Sequence, residues 1–521
     1  MFLTFQASEA DPKISPTQRQ TRLPQRLSTH LSSIFGSHPV LLTGTIFLAL
    51  FAMFLAGAAF FPLASSADEA AHYVYSAAVV RGQAGMLEPM LPARIANIHD
   101  FATCIGFHPE VTAACQASET VEGVGDVLSQ TNAGLYNPVF YAWTGLGSLV
   151  VPTEYGLYFS RALAALVSAA FLAWGISLAW RRARSTWPMI GVALILTPMT
   201  VYVGSVLNPS AWEISTLFAV TVAGYHLWRT PSKGWTESHT LLLLAGSLLI
   251  VTRGLSPLFL ALAVATIALT FPWRSTRTLL ARRATWAVAT IWALIAAATI
   301  FWVLVHGTNY VGVERPASLA DGLRSIPVFY ASFNEQIIQM YGNLGWLDLP
   351  SPQVLSSAWL FLMGGVVLTT SAIAPARGRR GVIFAFAVAT LLPGTLAGLQ
   401  WSGLGWQGRY TLPLVGLLLV VCTLTVDGLR PAMGADATVV RRLETFFRAI
   451  VPSFFVVGLI VIMFRVAHRY TVGEPAPWFA AASWLPPLSL LLLAATFLAG
   501  LTIVTIVLIT RPPLRVGPSA T

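Results

Sequence analysis

Apolar runs of about 20 residues recur along the chain, and nothing else in it constrains the fold so strongly. A helix needs roughly that length to cross the ~30 Å hydrocarbon core of a bilayer. Inside that core each backbone N–H and C=O must be paired within its own helix. Candidate spans lie at 39–62, 157–180, 187–205, 209–228, 239–254, 257–272, 285–305, 354–373, 381–400, 410–427, 448–466 and 483–509. Only 10% of the 521 residues are charged, against roughly 25% in an ordinary soluble domain. Such a chain cannot cover a water-facing surface. The expected fold class is an all-α polytopic membrane protein of about 12 transmembrane helices with juxtamembrane helices on its outer face.

The charges give an orientation. With both termini inside, 22 of the 31 Lys and Arg fall on inner segments, while 15 of the 21 Asp and Glu fall outside. That is the bias of cytoplasmic loops toward Lys and Arg. The net charge of +10 is therefore read as membrane anchoring, and nucleic acid is excluded as a partner. The reading gives cytoplasmic tails at 1–38 and 512–521, a membrane domain at 39–511, and outer loops at 63–156 and 306–353. The run at 39–62 exceeds the ~7–15 residues of a signal-peptide core, so it is taken as an uncleaved span. Residues 136–151 are short for a span and read as an interfacial helix with Tyr and Trp at headgroup depth. Cys104 and Cys115 share one polar loop and can form a disulfide if it faces an oxidising compartment. Cys422 sits in an apolar run.

Against this apolar background a few polar stretches stand out. SADEAAHY follows the first span directly, and ionisable groups so close to lipid point to function. Ser66 and Glu69 have the spacing of a capping box, which would account for Glu69 structurally. Asp68 and His72 lie four apart, on one face of a helix, where a carboxylate beside an imidazole can position a base or hold a cation. DExxH is not the HExxH of zinc sites and no convincing third ligand is present, so no metal or cofactor is expected; a divalent cation is the less favoured reading.

WQGRY enters a span with Arg409 between Gln407 and Tyr410, and Arg253 stands at the outer end of two short spans. Arginine routinely snorkels to the interface. It also matches phosphate geometry and keeps its charge. NPSAWE opens a span with Asn208 and Glu213, and YGNLGWLD places Trp346 and Asp348 among glycines. An acid and an aromatic in a loop suit sugar binding, although Trp is also an ordinary interface anchor. Together these pieces describe an outward cleft with a carboxylate, phosphate-binding cations and aromatics at bilayer depth. A substrate with a lipid tail, a phosphate and a polar head fits it.

The order ADEAAHY, YNPVFYAW, NPSAWE, GNLGWLD, WQGRYTLP, across roughly residues 40–430, resembles a family of bacterial predicted membrane proteins of unknown function. Ser210 in NPSAWE stands where that family commonly has an acid. The family in turn looks like the GT-C class of glycosyltransferases, polytopic enzymes that use polyprenyl-phosphate sugars. The resemblance implies an inverting transferase of the bacterial cytoplasmic membrane, its site on the outer face, passing one sugar to a cell-envelope glycan or lipid. It implies Asp68 or Glu69 as base with His72 beside them, Arg409, Arg253, Gln407 and Tyr410 on the donor phosphate, and Tyr136, Asn137, Asn208, Glu213, Trp346 and Asp348 on the substrates. Two other readings stay open: a transporter or flippase for a lipid-linked glycan, and a non-catalytic partner in glycan assembly. The polar residues gather at the outer surface and no internal repeat is seen, which disfavours transport.

Overall fold

The computed structural model describes residues 33–118, 125–307, 316, 318–401, 405–429 and 437–510. The 1–38 tail lies mostly outside the described residues, and the 512–521 tail wholly so. Eight helices are long and apolar enough to cross a membrane: Pro39–Phe60, Gly156–Arg182, Arg283–His306, Gln353–Ile373, Ala376–Leu399, Gly408–Leu429, Thr438–Thr471 and Leu490–Ile509. The span expected at 187–205 is two helices, Trp187–Ile195 and Pro198–Ser205, bent by 58°. Pro198 has no N–H to continue the ladder, and the Thr197 hydroxyl instead accepts from Thr200 N to start a new helix.

Among the described residues the count on length and composition is eight, or nine with the bent pair, and the expected 12 is not reached. The other three expected spans are helices of a different kind. Glu237–Thr252 and Ser256–Thr270 have 16 and 15 residues, too short for ~30 Å at 1.5 Å per residue. Ser210–Arg229 carries Glu213 and His226 and is buried along nearly its whole length. Its polar groups face protein rather than lipid.

Gly408–Leu429 and Ser210–Arg229 form the centre of the bundle and pack on each other, with Trp187–Ile195 against the former. Arg283–His306 lies at the edge, with Leu294, Phe301 and Leu304 exposed. Charge thus enters the bundle on its inner helices, where partners exist.

The segment between the first two long helices folds on one end of the bundle. It holds the helices Glu69–Val79 and Pro138–Val150, and a two-stranded antiparallel ribbon pairing Met90–Pro92 with Asp126–Leu128. Pro138–Val150 turns Phe140, Tyr141, Thr144 and Ser148 inward and shows Val139, Trp143, Leu146 and Val150 outward. That apolar outer stripe fits the interfacial placement read from the sequence. Cys104 and Cys115 are joined in a disulfide, their Cα atoms 6.1 Å apart, and Cys422 is free and buried.

Candidate active site

The site begins at a turn the sequence does not favour. Asp68 precedes the helix Glu69–Val79 with φ of 68°, in the left-handed region that a non-glycine residue rarely adopts. Such a conformation persists where its surroundings over-determine it, and here they do. The hydroxyls of Tyr202 and Tyr470 both donate to Ser65 O, at 3.3 and 3.2 Å. Trp346 Nε1 donates to Ala64 O at 3.0 Å, and Ala67 N donates to Gly345 O.

Two residues expected at the substrate, Trp346 and Asp348, make structural contacts in this buttress, although Asp348 Oδ2 has no hydrogen-bond partner among the described residues. Asp348 accepts from Trp346 N at 3.0 Å and lies 3.5 Å from buried Arg469. Gly345 has φ of 65°, and a Cβ there would run into Asp348 Oδ1, so glycine suits the turn. Asn137 is likewise occupied, capping Pro138–Val150 by accepting from Val139 N at 3.1 Å.

The two adjacent acids have opposite surroundings. Glu69 is fully buried and gripped by Arg161, which donates Nε to Oε1 at 2.8 Å and Nη2 to Oε2 at 2.7 Å. Leu207 N adds a third bond, at 2.8 Å. Arg161 also donates to the carbonyls of Ala58, Phe61 and Pro62. The pair ties the end of the first long helix to the new one. The expected capping box does not form, because the Glu69 carboxylate goes to Arg161 and no side chain caps the helix. Arg161 was missed at the sequence level; its one signal is a lone cation five residues into an apolar helix.

Asp68, by contrast, is 34% exposed and has one side-chain partner, Arg409, whose Nη2 donates to Oδ2 at 2.6 Å. Burial of its surroundings would raise the carboxyl, but the charges of Arg409 and Arg253 and the Arg409 hydrogen bond hold it below the usual carboxylate range. His72, one turn on, is buried and bonded through Nδ1 to the Tyr141 hydroxyl at 3.0 Å. Burial pushes its imidazole down to about 3, against the pull of Asp68 and with Arg253 and Arg409 adding to the fall. His72 is therefore neutral at physiological pH. Tyr141 is the second residue that the sequence reading passed over.

Arg253, between the two short helices, reaches the same place. It donates to Asn208 Oδ1 at 3.2 Å and pairs with Glu213 at 3.7 Å. Ser256 Oγ donates to Glu213 at 2.6 Å, so this acid is held as a counter-ion. The guanidinium groups of Arg253 and Arg409 both lie over the Tyr410 ring, 5.0 and 5.4 Å from its centroid. The charge of Arg253 is felt at Asp68, His72 and Tyr136. The structure thus gathers Asp68, His72, Tyr136, Asn208, Glu213, Arg253, Arg409 and Tyr410 from five separate stretches of sequence.

Several buried polar atoms here have no hydrogen-bond partner among the described residues: His72 Nε2, Asn208 Nδ2, Arg253 Nε, Arg409 Nε and Gln407 Oε1. Buried polar groups are normally paired, and each left unpaired costs about 1–3 kcal/mol. Four of the five are nitrogens suited to donate, beside two fixed cations, which is the character of an anion-binding site.

A bundle of long apolar helices that gathers a polar cluster defines a polytopic membrane protein. The chain belongs to the predicted membrane protein family DUF2142, whose model matches residues 50–420. No protein of curated function matches it. Among solved structures it is similar to ArnT from Cupriavidus metallidurans bound to undecaprenyl phosphate, at 13% identity over 90% of this chain and 76% of that one, with a TM-score of 0.41. The apo state of that protein gives 0.44 at the same identity and coverage. Arabinofuranosyltransferase AftD from mycobacteria gives 15% identity over 80% of this chain and 28% of that one, with a TM-score of 0.34. These likenesses are loose, and the chemistry has to be read from this chain's own residues.

Proposed function

We propose that the protein is a membrane glycosyltransferase that moves a sugar from a polyprenyl-phosphate donor to a cell-envelope glycan or lipid acceptor, on the outer face of the bacterial cytoplasmic membrane. One observation carries this reading: a partly open carboxylate, Asp68, set beside two guanidinium groups with unused N–H donors.

Asp68 is the candidate base and Glu69 is not, because Glu69 is fully buried and both of its oxygens already accept bonds within the fold. Asp68 takes the proton of the acceptor hydroxyl as its oxygen attacks the anomeric carbon. The bond from that carbon to the phosphate oxygen breaks, and its electron pair leaves with the polyprenyl phosphate. Arg253 and Arg409 stabilise the charge that grows there. A single displacement of this kind inverts the anomeric centre. Neutral His72, its ring held by Tyr141, offers Nε2 to the bound polar head, and Asn208 offers its amide. Cations surround Asp68, which makes it a poor seat for a divalent ion, so the reading uses no metal or cofactor.

The test is transfer of radiolabelled sugar from a polyprenyl-phosphate donor by the full chain in nanodiscs made from bacterial membrane lipid. Donor-dependent label in a lipid or glycan product is the expected result. A folded chain that forms no glycosidic bond with any polyprenyl-phosphate sugar, but moves labelled lipid between leaflets, overturns it in favour of transport.

A further inference from the structure

Arg409 and Arg161 are both buried arginines paired with a carboxylate next to the same turn, yet they are tethered differently. Arg161 makes five hydrogen bonds, using Nε, Nη1 and Nη2. Arg409 reaches Asp68 through Nη2 alone, makes a 3.5 Å contact with the Tyr410 hydroxyl, and leaves Nε buried without a partner among the described residues. Its backbone is fixed, since Gly408 N donates to Gln339 Oε1 at 2.7 Å. A Cβ on Gly408 would strike Gln336 O at 2.5 Å. The side chain, with its Nε unused, is the part a ligand can engage. Asp68 is the opposite case, a left-handed residue on a turn pinned from Tyr202, Tyr470, Trp346 and Gly345.

The same pairing disables the base. A carboxylate that accepts from a permanently charged guanidinium resists protonation. In this state Asp68 is a poor acceptor for a hydroxyl proton. The charged and titratable groups around it are His72, Arg253 and Arg409. His72 is neutral, so only the arginines hold the carboxylate in its ionised, unreactive form.

Resting on the proposed transferase reading, we propose that Arg409 is shared between Asp68 and the donor phosphate: a bound phosphate draws the guanidinium off the carboxylate, and the site takes its donor before its acceptor. A phosphate accepts two parallel N–H bonds from a guanidinium. Here it would also satisfy the unused Nε of Arg253 and the amide of Asn208. As Arg409 turns toward phosphate, Asp68 loses its hydrogen bond and gains proton affinity, and its Oδ2 is freed for the acceptor hydroxyl. Transfer moves the proton from acceptor oxygen to Asp68 and leaves the phosphate with one more negative charge. The product grips Arg409 harder than the donor did. The arginine returns to Asp68 only when polyprenyl phosphate leaves, and an empty site never holds an active base.

Carboxyl labelling reads this directly. The full chain in nanodiscs is treated with a carbodiimide and an amine, with and without polyprenyl phosphate, and labelling at Asp68 is quantified by tandem mass spectrometry. Carbodiimides attack the protonated acid, so polyprenyl phosphate should raise Asp68 labelling about tenfold for each unit gained in proton affinity. Arg409→Gln should raise labelling without ligand and abolish the response. Arg409→Lys keeps the charge for the fold, loses the fork, and should give a smaller response. Glu69, sealed by Arg161, should stay unlabelled throughout and reports that the chain is folded. Labelling that is unchanged or lowered, while a thermal shift shows polyprenyl phosphate bound, overturns the shared arginine and leaves the transferase reading standing. No thermal shift with any polyprenyl phosphate overturns the donor class itself, and the shared arginine with it.

Discussion

The helix Gly408–Leu429 carries a charge near each end, and the two are treated in opposite ways. Asp427 is fully buried, and its Oδ1 accepts from Arg184 N at 2.7 Å and Ser185 Oγ at 2.8 Å while Oδ2 faces Arg229 at 3.3 Å. Nearby, Glu444 accepts from the N and Oγ1 of Thr186, both at 2.8 Å. Those acids clamp the start of the bent helix pair to two neighbouring helices. At the other end, Arg409 has an unused Nε and a partner one-third open to solvent. Both oxygens of Asp427 are bonded inside the fold, so this acid has little left to offer a ligand, although Arg229 Nη2 has no partner among the described residues. An incomplete cluster retains a desolvation cost that a ligand can relieve. Glu69 and Arg161 belong with the first kind, although they sit beside the second.

Substitutions can break that contrast, and the largest effect belongs to the open cluster. Asp68→Asn should lower transfer by about 10²–10⁴-fold, the usual worth of a general base, with little change in the thermal unfolding midpoint. A loss of folded protein instead would place Asp68 among the structural pairs. Glu69→Gln should do the reverse. Removing one partner of a buried ion pair costs about 3–5 kcal/mol, read as a lower midpoint and less folded chain in detergent. Normal stability with lost activity would make Glu69 a chemical residue. Asp427→Asn should cost less, about 1–3 kcal/mol, because one oxygen still accepts, and activity per folded molecule should hold.

The smallest effect is one of pH. A base held below the ordinary carboxylate value stays ionised as pH falls through about 4, so kcat/KM for the donor, which reports the free protein, should be flat there and fall only at lower pH. The limb of kcat, which reports the loaded site, should sit at higher pH if Arg409 has moved to phosphate. His72, pushed to about 3, should give no inflection near 6.5. An inflection there would mean that the imidazole titrates and would redraw its role.

Much of this was legible in the sequence, for a physical reason. In a chain with so few charges, each one near an apolar run is conspicuous, so Asp68, His72, Asn208, Glu213, Arg253 and Arg409 could be picked out before their contacts were known. Runs of 20 apolar residues were legible in the same way. Pairing was not. Glu69 finds Arg161 across 92 positions and Asp68 finds Arg409 across 341, and no local spacing distinguishes one neighbouring acid from the other. An aromatic and an acid in a glycine loop suit a sugar or a buttress equally well, and no local spacing told that Trp346 would bond the Ala64 carbonyl or that Asp348 would face Arg469. The broken helix at Pro198 was readable from the proline, and the shortness of Glu237–Thr252 and Ser256–Thr270 from the length of their apolar runs.

The central claim is that one of two adjacent acids does chemistry and the other holds the fold. Its most direct test is sugar transfer from a polyprenyl-phosphate donor, normalised to folded protein, for the wild type, Asp68→Asn and Glu69→Gln side by side. The account predicts that transfer is lost in folded Asp68→Asn and survives, per folded molecule, in Glu69→Gln. Transfer that survives in Asp68→Asn, or that disappears only in Glu69→Gln with the fold intact, would contradict it.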